Sequence, residues 1–125
     1  MTELEQKLGY PFQDSRYLET ALRHSSYVNE HRELGMQSNE RLEFLGDSVL
    51  GLVAAEYLYT CFPHLPEGEL TKARAMVVCE HSLSGFARQL DLGSLLHFGK
   101  GLEHDGPEKD SILADAFEAL LAAIY

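Results

Sequence analysis

Between Asn39 and Phe62 the chain contains no proline and returns apolar residues every third or fourth position, so this stretch must be placed first, as one long helix. Three acids punctuate its start. Glu40, Glu43 and Asp47 stand at i, i+3 and i+7, which at about 100° per residue confines them to roughly 60° of helix face. Leu42, Leu45, Val49, Leu52 and Val53 fall on the other side and are expected to pack the helix onto the core. Gly51 and Ala54 continue the acidic stripe, where small residues leave room for something to approach. Ser38 or Asn39 suits the N-cap, with Glu40 and Glu43 in the first turns, where the helix dipole favours anions.

The remaining segments follow the same period. Helices are expected over about Met1 to Leu8, Ser15 to His24, Pro66 to Asp91 with a break, and Ser111 to Tyr125. They are separated by Pro11, the Phe62 to Glu67 stretch, Gly93 and the Gly99 to Gly106 loop. No run alternates with period two for more than a few residues, so the chain reads as all-α. With 125 residues, 45% of them hydrophobic, it can bury one core but not two, and a single domain over residues 1–125 is expected. The last helix stops in mid-pattern at Ala122 to Tyr125 without a glycine, asparagine or basic turn to close it, so the natural protein is expected to continue.

Other features narrow the setting. The start, Met1 to Gly9, lacks the basic and apolar regions of an export signal. The longest apolar run, Val49 to Ala55, is far short of the roughly 20 residues that a membrane span requires. Cys61 and Cys79 lack CxxC spacing and are expected to be buried, reduced thiols of a cytoplasmic protein. The formal net charge of −10 opposes nucleic-acid binding unless many of the acids converge on a site that cations neutralise.

A second acidic pair makes that convergence plausible on physical grounds. Asp115 and Glu118 lie one turn apart in Ser111 to Tyr125, with Leu113, Phe117, Leu120 and Ile124 opposite. If the two acidic helices face each other, four or five carboxylates crowd together, and like charges at short range stay ionised only around a cation. All-oxygen donors select Mg²⁺, with Mn²⁺ as substitute. A solvated acidic face is the ordinary alternative for such spacing. A helical di-iron site would need Glu-x-x-His on facing helices, and the chain has none.

The segment Asn39 to Leu50, NERLEFLGDSVL, closely resembles the signature of the ribonuclease III family. Leu22 to Tyr27 is similar to an upstream LxHxSY element, Glu67 to Arg74 to an EGxLTxxRA stretch, and Ser111 to Leu121 to a SILADxxEAL element, in family order. The resemblance implies an all-helical bundle, the catalytic domain of a divalent-metal-dependent endonuclease that cuts double-stranded RNA as a homodimer, leaving 5′-phosphate and 3′-hydroxyl ends. Such enzymes process ribosomal and messenger RNA in the cytoplasm. By the same resemblance Glu43, Asp115 and Glu118 are metal ligands, Asp47 and Glu118 are catalytic, and Glu40 and Glu67 are outer acids of the cluster. Phe44, beside the acids, resembles an aromatic anchor of the dimer, though a locally buried ring would fit the same position.

For His24 to Tyr27 the residues point to a helix end capped by hydroxyls, and Pro66-Glu67 also fits an ordinary helix start. Lys72 and Arg74 either touch phosphates or simply solvate their helix. The chain departs from the family in Gly99 to Asp110, which is more acidic than usual. The resemblance also implies a further helix and a double-stranded RNA-binding domain after Tyr125, without which weak, salt-sensitive RNA affinity is expected. A non-catalytic dimerisation module and a plain acidic scaffold remain the competing readings.

Overall fold

The computed structural model covers Met1–Tyr125. Seven α-helices make up the chain: α1 (Glu3–Leu8), α2 (Ser15–Ala21), α3 (Ser25–Glu30), α4 (Glu40–Cys61), α5 (Glu67–Val78), α6 (Glu80–Gln89) and α7 (Asp110–Ile124). No strand is present; the only extended pairing is an isolated bridge between Arg23 and His97. The all-α expectation therefore holds, and no helix is long and apolar enough to cross a membrane.

Local chemistry explains most boundaries. Thr2 and Glu5 form a reciprocal capping box at α1, and Gly9 closes it with φ 66, a conformation open to glycine at little cost. The break expected within residues 66–91 falls at Cys79, whose backbone is extended (φ −72, ψ 159). There the Ser82 hydroxyl donates to the Met76 carbonyl at 2.6 Å, satisfying an acceptor that the end of α5 leaves free. At the start of α4, Ser38 Oγ accepts from the Glu40 N–H at 3.3 Å. Asn39 occupies the cap position but is buried, and its Nδ2 donates instead to the Ala21 carbonyl at 3.1 Å, tying α4 to α2.

Helix α7 is the central element. It packs chiefly between α4 and α6 and buries Leu113, Ala114, Ala116, Glu118, Ala119, Leu120 and Ala122. Leu113 and Leu120 join Leu4, Ala87, Leu92, Leu96 and Phe98 in the main core, while Leu50, Leu83 and Ala114 form a smaller cluster toward α4. Each fully buried leucine contributes about 1.5–3 kcal/mol.

Helix α4 packs by a different face from the one its apolar residues suggest. The buried residues are Gly46, Leu50, Ala54 and Leu58, whereas Leu45, Leu52 and Val53 are 43%, 62% and 58% exposed. Leu50 is three residues from Asp47 and seven from Glu43, so the acids head the buried stripe instead of opposing it. Side-chain bulk misleads here because the core face of α4 needs small residues to approach α7 closely. The larger ones form an uncovered surface with Phe44, Tyr57, Tyr59, Phe62 and, on α5, Met76.

Two smaller expectations also change. Helix α2 ends at Ala21 and a separate short helix, α3, begins after His24, capped by the imidazole and not by a hydroxyl. Cys61 and Cys79 are free but exposed, because both sit at helix ends outside the core.

Candidate metal centre

Gly46 determines how closely the two acidic helices meet. A Cβ built on it would lie 1.7 Å from the carbonyl oxygen of Glu118 and 2.5 Å from its carbon, so the backbones of α4 and α7 touch at this point and no side chain fits between them. Glu43 stands one turn before the contact and Asp47 directly after it; Glu118 supplies the contact itself and Asp115 lies one turn earlier. The crossing therefore forces four carboxyl groups together. Sequence reasoning assigned the required room to Gly51 and Ala54, yet Gly51 has no neighbour within 4 Å and Ala54 belongs to the core. The signal for Gly46 was present, a residue without a side chain between two acids of one stripe.

Carboxylate oxygens of Glu43, Asp115 and Glu118 all lie within 4.8 Å of one another. Glu118 is buried, at 8% exposure, and Glu43 and Asp115 are half-buried. Burial, the adjacent Asp47 and the charges of Glu43 and Asp115 push the Glu118 carboxyl up to about 8. Burial comes first for Glu43 too, followed by the charge of Asp115, and raises it to about 7. Asp115 is also raised, by burial, although a hydrogen bond from Glu43 holds it back. Each raised carboxyl lies against another, Glu43 against Asp115 and Glu118 against Asp47, and this crowding favours the protonated forms where no positive charge is near.

No basic side chain fills that need. The ion pairs of the fold join Lys7 to Glu3, Arg16 to Asp14, Arg23 to Glu19, Lys72 to Glu69 and Arg88 to Asp110, and none reaches the four acids. A cluster of oxygen donors on rigid helices, its acidity weakened by burial and then by neighbouring carboxyls, fits a hard divalent cation.

The other expected residues are distributed around this centre. Glu40 is exposed in the first turn of α4, accepts from Ser38 Oγ at 3.2 Å and adds its charge to Glu43 from outside the ligand group. Glu67 does not join the cluster within the protomer; it opens α5 and accepts from the Thr71 hydroxyl at 2.9 Å. Lys72 pairs with Glu69 and Arg74 is exposed. Phe44 is 80% exposed, which removes the locally buried ring as an alternative. Glu80, which sequence reasoning passed over, opens α6 and also raises Asp115 through its charge. In the acidic Gly99 to Asp110 segment, Lys100 N–H donates to Glu30 Oε2 at 2.6 Å and Arg88 holds Glu108 and Asp110.

Known proteins share this sequence pattern and helical fold. The sequence pattern of a family described as ribonuclease-III-like matches residues 14–125. A ribonuclease 3 of Oceanobacillus iheyensis is 54% identical over 98% of this chain and 54% of its own length. One of Caldanaerobacter subterraneus is 56% identical over 100% of this chain and 55% of its own length. The chain thus spans about half the length of these relatives. Among solved structures, the nuclease domain of ribonuclease III from Campylobacter jejuni, described for flexibility in a region involved in dimer formation, superposes with a TM-score of 0.88 at 45% identity, covering 98% of this chain and 82% of that one. The helical fold, the converged acids and these matches together make the chain a member of the ribonuclease-III-like family.

Proposed function

We propose that this chain is the catalytic domain of a divalent-metal-dependent endoribonuclease that hydrolyses double-stranded RNA as a homodimer, in the cytoplasm, during ribosomal and messenger RNA processing. The observation that carries the reading is the convergence of Glu43, Asp47, Asp115 and Glu118 at a backbone contact, with no lysine or arginine ion-paired to any of them. Glu43, Asp115 and Glu118 would hold Mg²⁺, or Mn²⁺ in its place. When bound, such a cation polarises a phosphodiester oxygen and acidifies water.

The protein residues supply position and proton traffic. Glu43 and Glu118 would serve as ligands in their ionised forms, which a bound cation favours over the protonated ones. Asp47, which is exposed and adjoins Glu118, would orient an attacking water that enters from solvent. Water attacks phosphorus and gives up a proton to bulk solvent, the bond to the 3′ oxygen breaks, and that oxygen takes a proton from solvent, giving 5′-phosphate and 3′-hydroxyl ends. Duplex RNA is recognised by shape across its shallow minor groove.

Dimerisation is supported by the uncovered face of α4 and α5. Helix α5 has no buried residue in the protomer. Phe44 stands beside a groove between α2 and the start of α4, lined by Tyr17, Thr20, Leu42 and Leu45. In a two-fold pairing each Phe44 enters the groove of the other copy, which buries both at once. Glu67 on α5 then faces the duplex valley from the outer side.

The test is cleavage of a long, uniform RNA duplex by the purified chain at low salt. Mg²⁺-dependent production of short duplexes, abolished by EDTA and reduced at least a hundredfold in Glu118→Gln, is the expected result. Cleavage that persists in Glu118→Gln, or in EDTA, overturns the reading.

A further inference from the structure

His97 stands on a backbone that the fold fixes on both sides. Its N–H donates to the Leu22 carbonyl at 2.8 Å and its carbonyl accepts from the His24 N–H at 3.0 Å, pairing one rung of extended chain with residues 22–24. Leu96 and Phe98 are each 8% exposed, so by the alternation of extended chain the side chain between them goes to the surface, and His97 is exposed. Asn39 N–H donates to the Arg23 carbonyl at 2.9 Å, which ties the same rung to the start of α4, the helix of Glu40 and Glu43.

His97 lines a cleft of about 350 Å³ together with Tyr27, Ser94, Glu103 and Pro107. The Tyr27 ring is held in place from within α3. His31 stacks on it at 4.2 Å and 26°, and His31 Nδ1 donates to the Tyr27 carbonyl at 2.8 Å. The Tyr27 and His97 rings stand 5.5 Å apart at 43°, a corner in which a planar ligand can lie on one ring with its edge toward the other. The lining is close-packed: a Cβ built on Gly93 would lie 2.7 Å from the Pro107 carbonyl oxygen, and one on Gly106 would lie 2.6 Å from the Phe98 ring. It holds one carboxylate, Glu103, and no lysine or arginine.

These features narrow the ligand. A carboxylate without a neighbouring cation disfavours a phosphate, a fixed aromatic corner favours a flat π surface, and a volume at the small end of ligand pockets admits one ring system. We infer that the cleft binds a single unpaired nucleobase of the RNA against Tyr27 and His97, with guanine favoured by Glu103. Bases inside a duplex are stacked on one another, whereas a base that is bulged or at a strand end is read by stacking on aromatic side chains and by hydrogen bonds to its edge. Glu103 only accepts hydrogen bonds. The pairing edge of guanine offers it adjacent N–H donors, while that of uracil sets one N–H between carbonyl oxygens that repel a carboxylate. The inference rests on the reading of the chain as an RNA-cutting enzyme, and adds a base-dependent contact to recognition by shape.

Free guanosine tests the cleft apart from the carboxylate centre, since it carries no phosphate and is titrated in EDTA. Ring-proton spectra of the full chain should show saturable shifts at Tyr27 and His97, with uridine binding about tenfold more weakly. His97→Ala, at an exposed position, should weaken guanosine binding about tenfold and leave the melting temperature unchanged. Glu103→Gln should bring the two nucleosides to similar affinity, because an amide both donates and accepts. No shift at the two rings, equal affinity of the unsubstituted chain for guanosine and uridine, or full guanosine affinity in His97→Ala would overturn the inference. A chain that cuts duplex RNA yet ignores guanosine loses this inference alone; one that binds guanosine at the two rings and never cuts duplex RNA keeps the base site and overturns the nuclease reading.

Discussion

Replacing Gly46 by alanine adds one methyl group at the point where α4 meets α7. Ordinary van der Waals contact begins at 3.4 Å, and the new Cβ would stand 1.7 Å from the Glu118 carbonyl oxygen, so the helices must separate locally by roughly that deficit, about 1.7 Å. The obstacle is backbone and cannot rotate away. Alanine improves helix propensity by about 1 kcal/mol over glycine, whereas overpacking of this kind costs about 1–3 kcal/mol and more when the neighbour is rigid. A net loss of about 2 kcal/mol lowers the melting temperature of a domain this size by about 8 °C. The larger effect is on the centre. Ligand oxygens already up to 4.8 Å apart would have to close onto a cation that takes them at about 2.1 Å, and an added separation of this order costs at least a hundredfold in rate. Calorimetry with a Mg²⁺ titration of duplex cleavage reads both quantities. Gly51→Ala is the control, since its methyl meets open space in the protomer and stability should be equal or slightly greater. A Gly46→Ala protein with the melting temperature and Mg²⁺ half-saturation of its parent would refute the close-contact argument.

Further outcomes follow from the same geometry. Because Glu43 and Glu118 are raised to about 7 and 8 in the metal-free fold, their stabilising contribution is complete below the unfolded value of about 4.5 and is lost as pH rises through 7 and 8. The melting temperature in EDTA should therefore fall between pH 5 and 8.5 while the gap to the Mg²⁺ form widens; at a hundredfold the dissociation constant the cation adds about 2.7 kcal/mol, and a gap independent of pH would contradict the assignment. Phe44→Ala should weaken the dimer by about 2 kcal/mol or more, seen as a shift toward monomer in sedimentation velocity, with little change in Mn²⁺ affinity if the centre is built within one protomer. With few basic residues to meet phosphates, apparent RNA affinity should be weak already at about 50 mM salt and fall only modestly by about 200 mM, measured by anisotropy in Ca²⁺.

The parts of the fold that the sequence made legible are those where many residues repeat one signal. Helices α4 and α7 announced themselves through long apolar periodicity, and their acids through tight i, i+3 and i+7 spacing. Helix α3 did not, because six residues are too few to establish a period, and its cap is an imidazole, a residue seldom read as one. The break at Cys79 lacked the glycine or proline that would have marked its position. The facing of α4 was misread for a deeper reason: bulk was taken to mean burial, while the protomer reserves its bulkiest α4 residues for a surface that the chain itself does not cover. Gly46 stood in view as a residue without a side chain between two acids of one stripe, but the backbone atom it meets belongs to a helix distant in sequence.

The central claim is that Glu43, Asp115 and Glu118 converge because a divalent cation belongs between them. Crystals equilibrated with Mn²⁺ and measured at the manganese absorption edge test it most directly. The account predicts an anomalous peak coordinated by these three carboxylates, lost in Glu118→Gln. A fully occupied Mn²⁺ elsewhere with this cluster empty, or a peak that survives Glu118→Gln unchanged, would contradict it.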